Sequence, residues 1–268
     1  MSSRADITPP KPTLLIWRKH ARKIIAAVII AGIYVWAARG IGFDLIEIIG
    51  ELPQFFSLLG EMVPPNWAYG ARVLPALLET IQIAVLATLI GSMFSIPLTL
   101  LSASNVNRNV PLYFVAKGFM NLLRTIPELL YASILVAGIG LGAFSGMLAL
   151  VIFSTAVIAK LTSESVESID YGPIEALQAV GGTRLEIIRY AVFPQMLPAF
   201  TSYSLYVFEI NIRASTVLGL VGAGGIGVPL RTSLDLFRYQ NAATTILVVF
   251  VLVMAIDYVS TRLRERLV

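Results

Sequence analysis

Cysteine is absent from the 268 residues, histidine occurs once, and charged residues make up only 13% of the chain. Without cysteine there are no disulfides, thiolate metal sites, iron–sulfur clusters or cysteine nucleophiles. The one histidine, His20, lies in a basic stretch near the N-terminus. It offers neither a zinc-binding cluster nor a Ser-His-Asp arrangement. The pattern G-x4-G-K-[ST] is also missing, so this chain has no P-loop lysine for ATP phosphates. The charged share is about half the roughly 25% usual in soluble domains.

Apolar side chains take the place of the missing charge: 57% of residues are hydrophobic and mean hydropathy is +0.80. So few charges cannot cover so much apolar surface in water. A soluble enzyme, a disordered chain and a fibre are therefore excluded, leaving an all-α polytopic transmembrane helical bundle. About 20 apolar residues cross a bilayer core. On that measure six spans are expected, near Ile24–Ala38, Leu77–Leu101, Tyr113–Leu141, Ser145–Ala159, Ala199–Val221 and Ala242–Tyr258. The segment before Lys11 is too polar for a cleaved signal, so the first apolar stretch is read as a span.

The cations set an orientation. With the N-terminus inside, the inner segments hold Arg4, Lys11 and the Arg18–Lys23 cluster, Arg108 and Lys117, Lys160, Arg184 and Arg189, then Arg262, Arg264 and Arg266. The outer segments hold Arg39, Arg72, Arg231 and Arg238. This excess places both termini in the cytoplasm. The first outer segment also holds Asp44, Glu47, Glu51 and Glu61, and its stretch Phe43–Leu59 reads as an amphipathic helix at the outer interface. Pro64-Pro65 marks a break after it. The expected division is 1–71 for the N-terminal tail, first span and interfacial segment, 72–262 for the core, and 263–268 for a cytoplasmic tail. No internal repeat is visible, which argues against an inverted-repeat carrier.

One inner loop, 160–198, is too long for a turn. Gly172-Pro173 places proline at a helix start. Ile174, Leu177 and Val180 then fall three apart on one face, and Gly181-Gly182 ends the helix. A second helical run, Thr183 to Phe193, is expected to stop at Pro194. A short amphipathic helix of this kind can seat in a groove on a soluble partner, or simply rest on the membrane.

Glu175-Ala176-Leu177-Gln178-Ala179-Val180-Gly181 resembles the EAA-x3-G signature of ATP-binding-cassette importer permeases. Nine residues beyond the glycine, Ala191-Val192-Phe193-Pro194 is similar to the I-x-L-P that completes it. Leu177, Ala191 and Phe193 depart from the pattern, each by an apolar exchange. From Arg72 onward the chain looks closest to the phosphonate-type permeases. The matching stretches are Arg124-Thr125-Ile126-Pro127-Glu128-Leu129, the run Arg213 to Gly227, and Ile256-Asp257-Tyr258 with Arg262. The resemblance implies a type I importer permease fold, a homodimer in a bacterial inner membrane, two cytoplasmic ATP-binding subunits and an external substrate-binding protein. It also implies a coupling helix docked on the ATPase through Glu175, Ala176, Leu177, Gly181, Gly182 and Pro194. ATP and magnesium would belong to that partner, with no cofactor and no metal on this chain and no nucleic-acid partner. The chain itself would be no enzyme.

Gly222-Ala223-Gly224-Gly225-Ile226-Gly227 matches G-x-G-x-x-G, but it follows a span rather than a strand. Leu247 also stands where a ribose-binding acid is needed. A dinucleotide site is therefore rejected. Gly222, Gly224, Gly225 and Gly227 are read as an outer turn, either a moving gate or close helix packing.

A charge at the bilayer centre costs about 2.5–3.5 kcal/mol and usually faces a cavity or a partner. Two pairs four residues apart stand out, Arg124 with Glu128 and Glu209 with Arg213. Each pair either neutralises itself along a helix face or lines a translocation path. For Arg124–Glu128, near the inner interface, the ion pair is preferred. Arg213, with Asn211, Ser215 and Thr216, suits a phosphonate-like oxyanion, since guanidinium donates two parallel hydrogen bonds. Glu79 and Gln82 are weaker candidates. Pro97 and Pro127 either kink their spans or are absorbed by packing. The cargo is expected to be a phosphonate-like oxyanion, with phosphite, phosphate or an amino acid such as methionine as alternatives. A gradient-driven carrier using Glu128 and Glu209 is the alternative of another class.

Overall fold

The computed structural model describes residues 13–107 and 109–265. Arg4, Lys11, Arg108 and Arg266, counted above among the inner cations, lie outside the described residues. Everything regular among the described residues is helical. Contacts divide the chain into two compact units, Met1–Leu59 and Gly60–Val268.

The first unit holds helix α1 (Thr13–Gly40) and most of α2 (Leu45–Glu61). Lys23–Gly40 is apolar and, at 18 residues, long enough to be a candidate span. Asp44 accepts the Ile46 N–H at 2.8 Å and so satisfies a free donor at the start of α2. Helix α2 corresponds to the expected interfacial segment. Its Ile46, Ile49, Phe55 and Phe56 are all exposed.

In the second unit, α3 (Trp67–Ser102) packs along α6 (Ala143–Glu167) more extensively than any other pair. The reason lies in side-chain size. Buried Ala84, Ala87, Gly91, Ser95 and Thr99 recur every three or four residues along α3, and Ala149, Ser154, Ala159 and Thr162 line α6. Small residues let helix backbones approach closely where lipid removes the usual hydrophobic drive. A Cβ on Gly91 would stand 2.5 Å from the Ser154 Cβ. Around this pair lie α4 (Val110–Thr125), α5 (Glu128–Ile139), α9 (Phe193–Gly219), α10 (Gly227–Asp235) and α11 (Tyr239–Arg264).

The expected third span is broken. Helices α4 and α5 meet at 84° across Ile126-Pro127. Proline disfavours helical geometry in the residue before it, and Ile126 is extended at φ −90°, ψ 120°. The Tyr131 hydroxyl crosses the bend to donate to the Leu123 carbonyl at 2.9 Å. Among the described residues, α1, α3, α6 and α11 are long and apolar enough to cross a membrane, and α4 with α5 makes a fifth if the bent pair is one span. The expected crossing at Ala199–Val221 is the 27-residue α9, which is long enough but less apolar than these.

Gly91→Leu should lower stability by about 1–3 kcal/mol, the usual cost of overpacking. Gly118→Ala, where a Cβ meets nothing within 4 Å, should instead hold or raise it. Thermal unfolding in one detergent compares the two.

Candidate functional site

The loop 160–198 forms α7 (Gly172–Ala179), a glycine bend, α8 (Arg184–Ile187), a π turn (Ile188–Val192) and then α9 without interruption. Pro173 sits in the first turn of α7, where no N–H is needed. Ile174 is buried in a cluster with Ala103, Val106, Val166, Val192 and Met196, and Leu177 packs against it. Glu175, Ala176 and Gln178 face outward. Val180 does not join the apolar face as its spacing predicted. The helix ends at Ala179, and Val180 is its C-cap residue, 80% exposed. Gly181 turns the chain at φ +80°, a conformation that favours glycine. The Gly182 N–H then returns to the Leu177 carbonyl at 2.8 Å.

Thr183 opens the next helix with a reciprocal cap. Its backbone N–H and hydroxyl donate to the Glu186 carboxylate at 2.6 and 2.7 Å, and its oxygen accepts the Glu186 N–H. The helix does not stop at Pro194, contrary to the expectation above. Pro194 lies in the first turn of α9. Its ring would press on a carbonyl one turn back, and the π turn widens the helix there. The loop is tied down twice more. Arg184 donates to the Val106 carbonyl at 2.9 Å, and Gln195 donates to the Asp170 carbonyl at 3.2 Å. A cavity of about 410 Å³ between α7 and α8 is lined by Asn105, Ile174, Gln178, Arg184 and Ile188, among others.

Arg124 and Glu128 do not share a helix face, which corrects the pairing expected above. Arg124 is in the last turn of α4 and Glu128 in the first turn of α5. No ion pair joins them among the described residues. Each charge instead sits at the helix end whose dipole favours it. Glu209 and Arg213 do form the expected (i, i+4) pair on α9. A third member joins them that helical spacing could not reveal: Arg264 on α11 donates to the other Glu209 oxygen at 3.0 Å.

Asn211 faces inward and is fully buried. Its amide donates to Thr88 on α3 at 2.9 Å and to Ser154 on α6 at 2.8 Å, joining three helices. Ser215, one turn on, is also buried, and Thr216 donates to the Ile212 carbonyl at 3.3 Å. The structure therefore separates the polar residues of α9. Asn211 and Ser215 point into the helix packing, while Arg213 is half-exposed. Glu79 is half-buried and Gln82 exposed.

Gly222–Gly227 runs from the turn after α9 into the first residue of α10, so no strand precedes the G-x-G-x-x-G pattern. Gly225, at φ +73°, lies against Thr80 and Ser215. The Ile226 N–H donates to the Thr80 hydroxyl at 2.8 Å, and the Gly142 N–H to the Gly222 carbonyl at 2.9 Å. A side chain on Gly227 would collide with the Thr216 carbonyl and the Gly219 backbone. The turn is thus packed against α3, α9 and the start of α6.

Residues 95–268 match the family model described as the inner membrane component of binding-protein-dependent transport systems. A phosphate-import permease of Mycolicibacterium smegmatis is 43% identical over 208 residues, which are 77% of this chain and 39% of that protein. The chain therefore spans well under half the length of that relative. A phosphite transport system permease of Stutzerimonas stutzeri is 35% identical over 245 residues, 91% of this chain and 89% of its own. In solved structures, the fold is similar to an inward-facing methionine ABC transporter. The TM-score is 0.62 at 21% identity, covering 73% of this chain and 96% of that one.

Two outcomes are expected from this geometry. Asn211→Leu should cost about 1–3 kcal/mol in thermal unfolding, because it strips hydrogen bonds from buried hydroxyls on two neighbouring helices. The Thr183 hydroxyl, followed by the Thr183 N–H, holds the Glu186 carboxyl below its ordinary range. A depressed folded value means the cap stabilises above the unfolded value and is lost as pH falls through the folded one. Hydrogen-exchange protection of the Thr183 amide should be flat through neutral pH and fall in acid. In Glu186→Gln that acid dependence should vanish.

Proposed function

We propose, from the premise that the chain belongs to the binding-protein-dependent transport system inner membrane component family, that it is the membrane-spanning subunit of an ATP-driven importer whose cargo is a phosphorus oxyanion. The family membership carries the importer role. The cargo class is supported by relatives named for phosphate and phosphite import. Within that class a phosphonate is the leading reading, with phosphite and inorganic phosphate as its neighbours.

In this account two copies of the chain enclose the path, and both termini are cytoplasmic. A separate pair of ATPase subunits holds ATP and magnesium, and an external binding protein delivers cargo. Helix α7 is the part that meets the ATPase. Its apolar face is fixed to the ends of α3 and α6 and to the root of α9 through Ile174. Its outward face, with Glu175, Ala176 and Gln178, is free of the chain's own packing. A displacement of α7 is therefore passed to α9 through packed side chains rather than through a slack linker. Arg213, half-exposed on α9, supplies a guanidinium suited to an oxyanion. Tight selection at this point is not needed if the binding protein selects the cargo.

Proteoliposomes holding this chain, its ATPase and its binding protein should take up methylphosphonate, phosphite or phosphate only with ATP on the ATPase side. Deleting Glu175–Gly181 should abolish uptake and lower the ATPase recovered with the purified chain. Uptake by this chain alone, driven by an ion gradient, would overturn the proposal and favour the secondary carrier.

A further inference from the structure

The Glu209 carboxylate is buried, with only 8% of its side chain exposed, and it carries two arginines, one on each oxygen. The two are not alike. Arg264 comes from another helix, α11, and is a quarter exposed. Its guanidinium is also held by the Ser260 carbonyl and the Thr261 hydroxyl, both at 3.4 Å. Arg213 sits one turn along α9, and its side chain is 51% exposed. Among the described residues, Glu209 is its one hydrogen-bond partner, although a guanidinium has five N–H donors.

Charge decides what such a triad can do. A buried carboxylate facing two guanidiniums leaves one positive charge over. If Arg213 were the only partner of Glu209, releasing it would strand a buried anion, which is strongly unfavourable. With Arg264 in place, Glu209 stays paired whether or not Arg213 is attached.

We propose that Glu209 and Arg264 form a standing ion pair across α9 and α11, and that this pair leaves Arg213 free to exchange its carboxylate for an incoming oxyanion. Arg264 is then a positioning residue: it never touches the cargo, yet it sets whether Arg213 can. A monoanion on Arg213 brings the group of four charges to neutrality. The exchange needs no proton transfer and no large movement, only rotation of a half-exposed side chain. The cargo named here rests on the importer function proposed above. The internal pairing does not.

The test uses the purified complex of this chain with its ATPase and without the binding protein, so that the permease alone meets the anion. Methylphosphonate, phosphite and phosphate are titrated by calorimetry, and uptake is measured separately with the binding protein restored. Arg213→Gln should weaken anion binding roughly tenfold or more, the size of one charged hydrogen bond. Arg264→Gln should weaken it similarly, because Arg213 is then recruited as the sole partner of Glu209. Arg264→Lys should recover most of the binding. The decisive variant is Glu209→Gln with Arg264→Gln, which removes both charges of the standing pair and should restore binding to near the wild-type value. A merely structural role for Arg264 predicts the opposite, a double variant at least as impaired as either single one.

If the variants prove too unstable to titrate, their thermal midpoints still test the pairing. The double variant should melt above Arg264→Gln, because it holds no half-paired carboxylate. A double variant that melts below both single variants would overturn the proposal. So would wild-type complex that binds none of the three anions while still importing one of them. Failure of uptake itself, with the pairing intact in the melting series, would instead overturn the importer reading.

Discussion

A polar group taken into an apolar helical bundle has no water to fall back on, so it must find its partner within the protein. Helix α9 shows the consequence. It carries Glu209, Asn211, Arg213 and Ser215 within seven residues, and it falls short of the hydropathy that α3, α6 and α11 reach. It is kept in place by what the neighbouring helices offer. Helix α3 supplies Thr88, α6 supplies Ser154 and α11 supplies Arg264. Because these partners lie on three separate helices, the polar residues of α9 fix its rotation about its own axis.

The same constraint explains the seam between α3 and α6. Small residues there bring two backbones close, and several buried hydroxyls of α3 return to their own helix. Thr88 donates to the Ala84 carbonyl at 2.7 Å, and Ser95 to the Ser92 carbonyl at 2.8 Å. A hydroxyl satisfied within its own helix costs the seam nothing and still leaves an acceptor lone pair. Thr88 uses that lone pair for Asn211. Close approach and a shared hydrogen bond therefore reinforce each other at one level of the bundle. At another level the turn at Gly222–Gly227 closes over the seam through Thr80.

Much of this architecture was legible in the sequence, and what escaped it has a common cause. The apolar runs gave the long helices, and Pro173 with Gly181 gave the position of α7, because proline and glycine act locally on the backbone. The (i, i+4) pair of Glu209 and Arg213 was legible because helical spacing is local too. Arg124 and Glu128 have that same spacing, but Pro127 stands between them and the helix on which the spacing depends is interrupted. Val180 misled because helix periodicity says nothing about the residue at which a helix ends. Arg264 was invisible for the opposite reason. It is 55 residues from Glu209, reads as one more cation in a basic tail, and becomes a partner only when α11 lies beside α9. The roles of Asn211 were hidden likewise, since its partners are 123 and 57 residues away.

The loop and the polar helix are physically one element. From Arg184 to Gly219 the chain is helical throughout, passing through α8, a π turn and α9. The cap at Thr183 therefore begins the same rod that carries Arg213. A rod of this kind transmits rotation and translation along its length unless a joint absorbs them. The π turn at Ile188–Val192, with Pro194 and Pro198 just beyond it, is where its hydrogen-bond ladder is weakest. Val192 and Met196 at that weak stretch are nonetheless buried in the cluster that holds Ile174. The packing around the joint thus couples α7 to the rod where the backbone alone would give way. Under the coupling role proposed above, this arrangement would let a displacement of the eight-residue α7 reach charges several turns away.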